Sequence, residues 1–190
     1  MKQPYQPDFP DATRRAMDRW PDVPAVHGWL RLDRRGRWFV REGEVTHAGA
    51  LAFLNANYGG DAQGRWFVQN GPQRAFVTLD LAPWILRLGA DGALHTHTGV
   101  AVEGLQALVP TTDGDLCLAF ALGLGSLLDR DLPAFVEQLS PAESGGDVAR
   151  LLLGETPGQL VFRSQPLEVR PLAAACLPGR FGFVRDPVAP

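Results

Sequence analysis

Residues 36–68 read GRWFVREGEVTHAGALAFLNANYGGDAQGRWFV, so that Gly36-Arg37-Trp38-Phe39-Val40 returns unchanged as Gly64-Arg65-Trp66-Phe67-Val68. The copies start 28 residues apart (64 − 36 = 28). Each is a glycine followed by aromatic and β-branched residues, the composition of a strand leaving a turn. Between them Leu51, Leu54 and Tyr58, with Ala50 and Phe53 alongside, recur at helical spacing. Thr46 is placed to cap that helix, and Gly59-Gly60 to end it with a positive φ. Two matching strands around one helix predict an α+β unit on one sheet. No third copy follows, which excludes a solenoid.

Upstream, Leu30 and Leu32 alternate with Trp29, Arg31 and Asp33, and the turn 33–36 leads into residues 37–41 as a β-hairpin. Before it, Asp11 is placed to cap a helix with Ala12, Ala16 and Trp20 on its apolar side, stopped by Pro21. Downstream, residues 65–69 turn at Asn70-Gly71 into 73–81, with Ala75, Val77, Leu79 and Leu81 inward, and a strand at 84–88 follows.

The second half repeats this order. Strands are expected at 94–98, 100–109 and 116–122. A helix capped by Asp129 carries Leu132, Phe135, Val136 and Leu139, and a short helix spans 147–153. A hairpin joins 160–163 to 167–172, before an irregular tail. Gly36 and Gly114 each open a strand after an acidic turn. Gly43 falls on Gly125, and Gly64 through Pro72 falls on Gly158 through Pro166. The expected fold is therefore α+β, two similar lobes of antiparallel strands with one principal helix each, arising by internal duplication. Residues 1–24 form an N-terminal helix and extended segment, 25–89 the first lobe, 90–178 the second and 179–190 the tail. Superposition should bring the two Gly-to-Pro stretches into one strand register.

The segments WLRLDRRGRWFVREGEVTHAGALAFL (29–54) and GRWFVQNGPQRAFVTLDLAPW (64–84) resemble uncharacterised proteobacterial families of unknown function. The resemblance covers residues 26–172 and is most specific over 28–88. It implies two pleckstrin-homology-like α+β halves and a suggested role in signalling. It implies no activity that transfers residue by residue.

The 190 residues are 45% hydrophobic and 21% charged, the balance of a soluble globular chain. A net charge of -3 and a pI near 5.8 argue against a general nucleic-acid binder. No signal-peptide stretch opens the chain, and the longest apolar run, 116–128, is interrupted by Gly123 and Gly125, so no membrane partner and a cytoplasmic compartment are expected. Cys117 and Cys176 sit among apolar residues and read as small buried hydrophobes.

No catalytic motif stands out: Gly-x-Ser-x-Gly, the P-loop and the dinucleotide fingerprint are missing, so no catalytic residue and no cofactor are assigned. Asp129, Asp131, Asp113 and Asp115 come nearest to a carboxylate cluster, and the first pair already has a structural duty as helix-cap and first-turn residues. Three candidate sites remain. His95 and His97 share one face of a strand, a metal-ligand spacing to which Asp91 or Glu103 could add a third ligand. Trp66, Gln69, Asn70, Gln73, Arg74 and Trp84 gather amides, an arginine and indoles around a hairpin end, suited to a small polar ligand in a cleft between the lobes. Trp29, Arg31, Arg37, Phe39 and Arg41 share one hairpin face, suited to an anion or an acidic protein partner. The same arginines could instead cover aromatic rings at a core edge, with Asp18 and Asp22 neutralising them. Residues 1–41 carry nine cations and five acids, +4, which leaves -7 for the remainder. These features favour a non-enzymatic binding or regulatory module. The alternative is a small-molecule enzyme or metal-binding protein using His95 and His97.

Overall fold

Pro10 presets an extended entry (φ -52, ψ 145) to the first helix, α1 (Asp11–Arg19), in a computed structural model that describes residues 5–20 and 23–189. Asp11 is not the cap. It lies in the first turn, where a carboxylate suits the positive end of the helix dipole. The inward stripe is also not the expected one. Thr13 is buried and its hydroxyl donates to Asn57 Oδ1 at 3.3 Å, and Met17, one turn on, packs against Phe9, Phe67 and Phe76. Ala12 and Trp20 are exposed.

The chain divides into two compact units, Met1–Leu81 with Gly182–Pro190, and Ala82–Phe181. The first contains β1 (Val26–Leu32), β2 (Trp38–Val40), β3 (Gly43–Glu44), α2 (Ala48–Ala56), β4 (Tyr58–Gly60), β5 (Trp66–Asn70) and β6 (Gln73–Leu79). Its sheet has the order β3-β2-β1-β6-β5-β4, with β1 and β6 parallel and every other pair antiparallel. The two pentapeptide copies become β2 and β5, placed symmetrically in that order. Their Trp38 and Trp66 flank the fully buried Tyr58, ring centroids 5.4 and 4.9 Å away, and Trp38 Nε1 donates to Asn55 Oδ1 on α2 at 2.9 Å.

The pentapeptide identity has a physical cause. Asp33 and Asp61 each accept from the glycine three residues on and the arginine four residues on, closing the same turn. The carboxylates also take Arg37 Nε at 2.7 Å and Arg65 Nε at 2.8 Å. Gly36 and Gly64 sit at φ 74 and 77, a region costly for a side chain. Asp33 is consequently buried, not outward-facing as its parity suggested.

Helix α2 also departs from expectation. His47, not Thr46, is its cap, with Nδ1 accepting from Ala50 N at 3.3 Å, and the helix stops before Tyr58 enters β4. Gly59 and Gly60 are strand residues. A Cβ on Gly59 would meet Pro7 Cδ at 2.9 Å and one on Gly60 the Trp66 ring at 3.3 Å, so close approach requires them, not a helix end.

The second unit contains β7 (Trp84–Leu88), β8 (Leu94–Thr96), β9 (Ala107–Pro110), β10 (Leu116–Phe120), β11 (Gly123–Leu127), α3 (Leu132–Val136), β12 (Leu139–Pro141), α4 (Val148–Leu152), β13 (Gln159–Phe162), β14 (Gln165–Val169) and α5 (Leu177–Phe181). Its sheet has the order β12-β13-β14-β9-β10-β11-β7-β8. Without β7 and β8, this order is the first sheet again, with the parallel pair β9–β14 at the centre in place of β1–β6. Two α+β lobes with one strand order are the mark of the duplication. Ladder partners place Leu108 at the position of Leu30, Gly125 at that of Gly43 and Val169 at that of Val77.

The expected overlay of Gly64–Pro72 on Gly158–Pro166 slips by one residue pair: Val68 matches Leu160, not Phe162. The turns Gly71-Pro72 and Arg163-Ser164 must coincide, and the second reaches positive φ (49 and 65) without glycine. An even slip keeps every side chain on its face.

Other corrections concern the second half. Strand β7, expected in the first lobe, pairs with β8 and β11, so the division falls after Leu81 instead of at 89. Residues 123–127, read as an interruption, form a strand in which Gly125 leaves room for Leu86. Asp129 is the first residue of a short 3-10 turn (Asp129–Asp131) and not its cap, its Oδ1 accepting from Arg130 N at 2.8 Å, while Asp131 accepts from Leu88 N at 3.0 Å, and Leu139 starts a strand instead of ending a helix. The last residues are not an irregular tail throughout. Residues 177–181 are helical, and beyond them Val184 N donates to Gly64 O at 2.8 Å and Leu79 N to Arg185 O at 2.7 Å. Cys117 is buried as expected; Cys176 is exposed.

Candidate functional site

Strand register gathers the five residues of the expected hairpin face. Arg31 lies opposite Phe39, its guanidinium 4.0 Å above that ring, and Arg37 reaches the same ring at 5.5 Å. Arg41, at φ 53 in the turn after β2, covers Trp29 at 4.1 Å. Trp29 nevertheless remains 48% exposed. The same sheet face continues into Arg65 over Phe76 and Arg74 over Phe67, where Phe9 and Met17 cover it. The side carrying Trp29 and Arg41 has no such cover from that cluster.

Like charges on β1 and β2 are neutralised from within, though not by the acids expected. Arg31 pairs with Asp80 at 2.8 Å; Arg37 pairs with Asp33 at 2.7 Å and Glu44 at 3.4 Å. The hydrogen bond that Arg37 donates to Asp33 raises the Arg37 pKa above its ordinary value. Asp18 lines a separate cavity, and Asp22 lies outside the described residues. Arg41 makes no ion pair among the described residues. Sequence reading missed both acids: nothing local marks Asp80, whereas the Asp-x-x-Gly-Arg spacing at 33–37 and 61–65 was an available signal that Asp33 is a turn acid already committed to Arg37.

The hairpin-end group is partly assembled. Gln69 is only 1% exposed; its Nε2 donates to Gly71 O at 2.9 Å and its Oε1 accepts from Arg74 Nε at 3.3 Å. Gln73 Nε2 donates to Pro24 O at 3.0 Å. Asn70 ends β5 opposite Gln73, and the positive φ of that turn (54) belongs to Gly71. Trp66 lies on the opposite sheet face, beside Tyr58 and Gly60. Trp84 belongs to the second unit, where its Nε1 donates to Leu122 O. Gln69 and Arg74 line a cavity of about 450 Å³ together with Asp18 and the apolar Met17, Val23, Ala25 and Pro72.

His95 stands in β8 opposite Arg87, and His97 follows the strand. His97 is 6% exposed; its backbone N donates to Ile85 O at 2.7 Å and its Nδ1 accepts from Ile85 N at 3.3 Å. Burial, then the nearby Arg87, pushes its pKa down to about 3. Asp91 Oδ1 accepts from Ala93 N at 2.9 Å, which lowers the carboxyl pKa. Among the described residues no group of three or more His, Cys, Asp or Glu side chains is arranged to hold a metal ion. No helix among them is long and apolar enough to cross a membrane.

The DUF2944 family profile, described as "Protein of unknown function (DUF2946)", matches residues 10–188. Among solved structures, the chain is similar to a DUF1285 family protein from Silicibacter pomeroyi DSS-3. The match has 12% identity and a TM-score of 0.50, covering 77% of this chain and 82% of that one. A DUF1285 family protein from Shewanella baltica OS155 is similar at 15% identity and a TM-score of 0.43, over 57% of this chain and 91% of that one. No curated protein matches. At these identities the first likeness concerns the fold alone.

Proposed function

We propose, for a chain that belongs to the DUF2944 family of proteins of unknown function, a non-enzymatic binding module that docks an acidic protein segment on the arginine–aromatic face of its first lobe. The observation that carries this reading is internal to the molecule, because the duplicated lobe serves as a control. By strand register the positions of Trp29, Arg31, Phe39 and Arg41 correspond to Ala107, Val109, Cys117 and Ala119, all buried. One copy of the face is small and apolar. The other presents guanidinium groups stacked on rings, and Trp29 is half in solvent. Arg41 has a ring beneath it and makes no ion pair among the described residues, so a carboxylate arriving from outside gains both a charge partner and a stacked, preorganised donor. A regulatory role in signalling, pleckstrin-homology-like halves and a cytoplasmic location belong to the same proposal, and their support is the resemblance over residues 26–172 and the composition.

The test is a fluorescence-anisotropy titration with a fluorescein-labelled peptide of alternating Glu and Leu. Binding that weakens with salt and falls at least tenfold in Arg41→Glu supports the reading. Equal binding by wild type, Arg41→Glu and Trp29→Ala removes it.

A further inference from the structure

A second site lies farther along the same sheet face, away from Trp29 and Arg41, at the end of the β5–β6 hairpin beside α1. Its cavity, about 450 Å³, falls in the roughly 300–1,000 Å³ range typical of small-molecule pockets. Arg74 is fixed there on two sides. Its guanidinium lies 4.6 Å over the Phe67 ring, and its Nε is held by Gln69 Oε1. Gln69 is itself immobilised by the carbonyl of Gly71 in the turn. With Nε engaged inside the protein and no acid paired to Arg74 among the described residues, the two Nη groups remain as donors for an incoming carboxylate. Asp18, on the exposed side of α1, lines the same cavity, yet the two opposite charges make no ion pair with each other. Between them the wall is aliphatic: Met17, Val23, Ala25 and Pro72.

An arginine and an aspartate that share a cavity without meeting leave room for an occupant carrying the complementary pair. We infer that this cavity binds a small zwitterion with an aliphatic side chain, of the α-amino-acid class, its carboxylate on Arg74 and its ammonium on Asp18. Neither residue is among those proposed to dock the acidic segment, so this site and the acidic-partner surface succeed or fail separately.

The experiment is isothermal titration of the full chain with L-leucine, with isovalerate as the carboxylate-only probe and with isoamylamine as the amine-only probe. L-leucine is expected to bind at least tenfold more tightly than either half-ligand. Arg74→Gln is expected to lose at least tenfold for L-leucine. Asp18→Asn is expected to bring L-leucine down to the level of isovalerate while leaving isovalerate unchanged. Asp18 is solvent-exposed, so this variant keeps the test open even if Arg74→Gln, deprived of its stacking on Phe67, fails to fold. The inference is overturned if no probe binds at millimolar concentration, if isovalerate matches L-leucine, or if Asp18→Asn leaves L-leucine binding intact. Binding of the Glu-Leu peptide should be the same in Asp18→Asn as in wild type, whichever way the leucine titration falls.

Discussion

Arg31 lies across the β1–β2 ladder from Phe39, its guanidinium 4.0 Å above the ring and 2.8 Å from Asp80. One arginine thus serves the interior and the surface together. It neutralises a carboxylate at the end of the first sheet and roofs an aromatic ring on the face proposed for binding. Arg41 differs, with a ring below and no ion pair among the described residues.

That difference separates stability from recognition. Arg31→Ala removes a half-exposed ion pair and a cation–π contact, together worth roughly 1 kcal/mol after allowance for solvent screening. Arg41→Ala should fall within about 0.5 kcal/mol of wild type, as expected for a surface change. Urea denaturation of both variants checks this. A larger loss from Arg41→Ala than from Arg31→Ala would show that Arg41 has a structural role, contrary to the account.

The turn acids make a second comparison. Asp33→Ala strands the amides of Arg35 and Arg37, and Asp61→Ala those of Gln63 and Arg65. Each should lower stability by about 2 kcal/mol, the usual range for buried hydrogen-bond partners. Asp33→Asn retains an acceptor and should recover part of the loss. The midpoint shift in denaturant reports all three. Arg37→Glu should also destabilise, because it sets a third carboxylate against Asp33 and Glu44.

Duplicated positions need not tolerate the same change. A Cβ on Gly125 would lie 2.6 Å from Leu86 Cγ, whereas one on Gly43, its counterpart in the first lobe, finds only Val40 O at 3.6 Å. Gly125→Ala should therefore cost about 1–3 kcal/mol through overpacking, and Gly43→Ala almost nothing. Thermal melts of the two variants side by side give the answer.

His97 predicts an acid-sensitive fold. Its pKa is about 3 in the native state, against 6.5 as a free side chain. Between those values the unfolded chain takes up a proton that the native chain refuses, so stability declines as pH falls from 6.5 toward 3. The slope attributable to this residue approaches about 1.4 kcal/mol per pH unit in that window. His97→Gln, which keeps an acceptor for Ile85 N, should flatten the profile below pH 6.5. An unchanged acid slope would show that His97 does not set it.

The first sheet was legible from local signals: the repeated pentapeptide, the alternation around Leu30 and Leu32, and Asn-Gly before Gln73. What escaped depended on partners distant in sequence. Nothing near Trp84 shows that its strand pairs with Gly125–Leu127, or near Val184 that its amide reaches Gly64. Glycine misled in both directions. Gly59 and Gly60 looked like a helix end and Gly125 like a strand break, while each in fact permits close packing. The turn at Arg163-Ser164 adopts positive φ without any glycine, and aligning Gly158 with Gly64 shifted the register. The arginine–aromatic face was visible because alternation fixes its parity. Its acids were not, since Asp80 is 49 residues from Arg31.

The most direct test of the binding face is a ¹H–¹⁵N correlation spectrum of the five tryptophan indoles during titration with the unlabelled Glu-Leu peptide. Trp38, Trp66 and Trp84 are buried, and Trp29 is exposed beneath Arg41. The account predicts that the Trp29 indole resonance moves progressively to saturation, that Trp38, Trp66 and Trp84 stay in place, and that the movement disappears in Arg41→Glu. A Trp29 resonance that does not move at saturating peptide, or moves equally in Arg41→Glu, would contradict it.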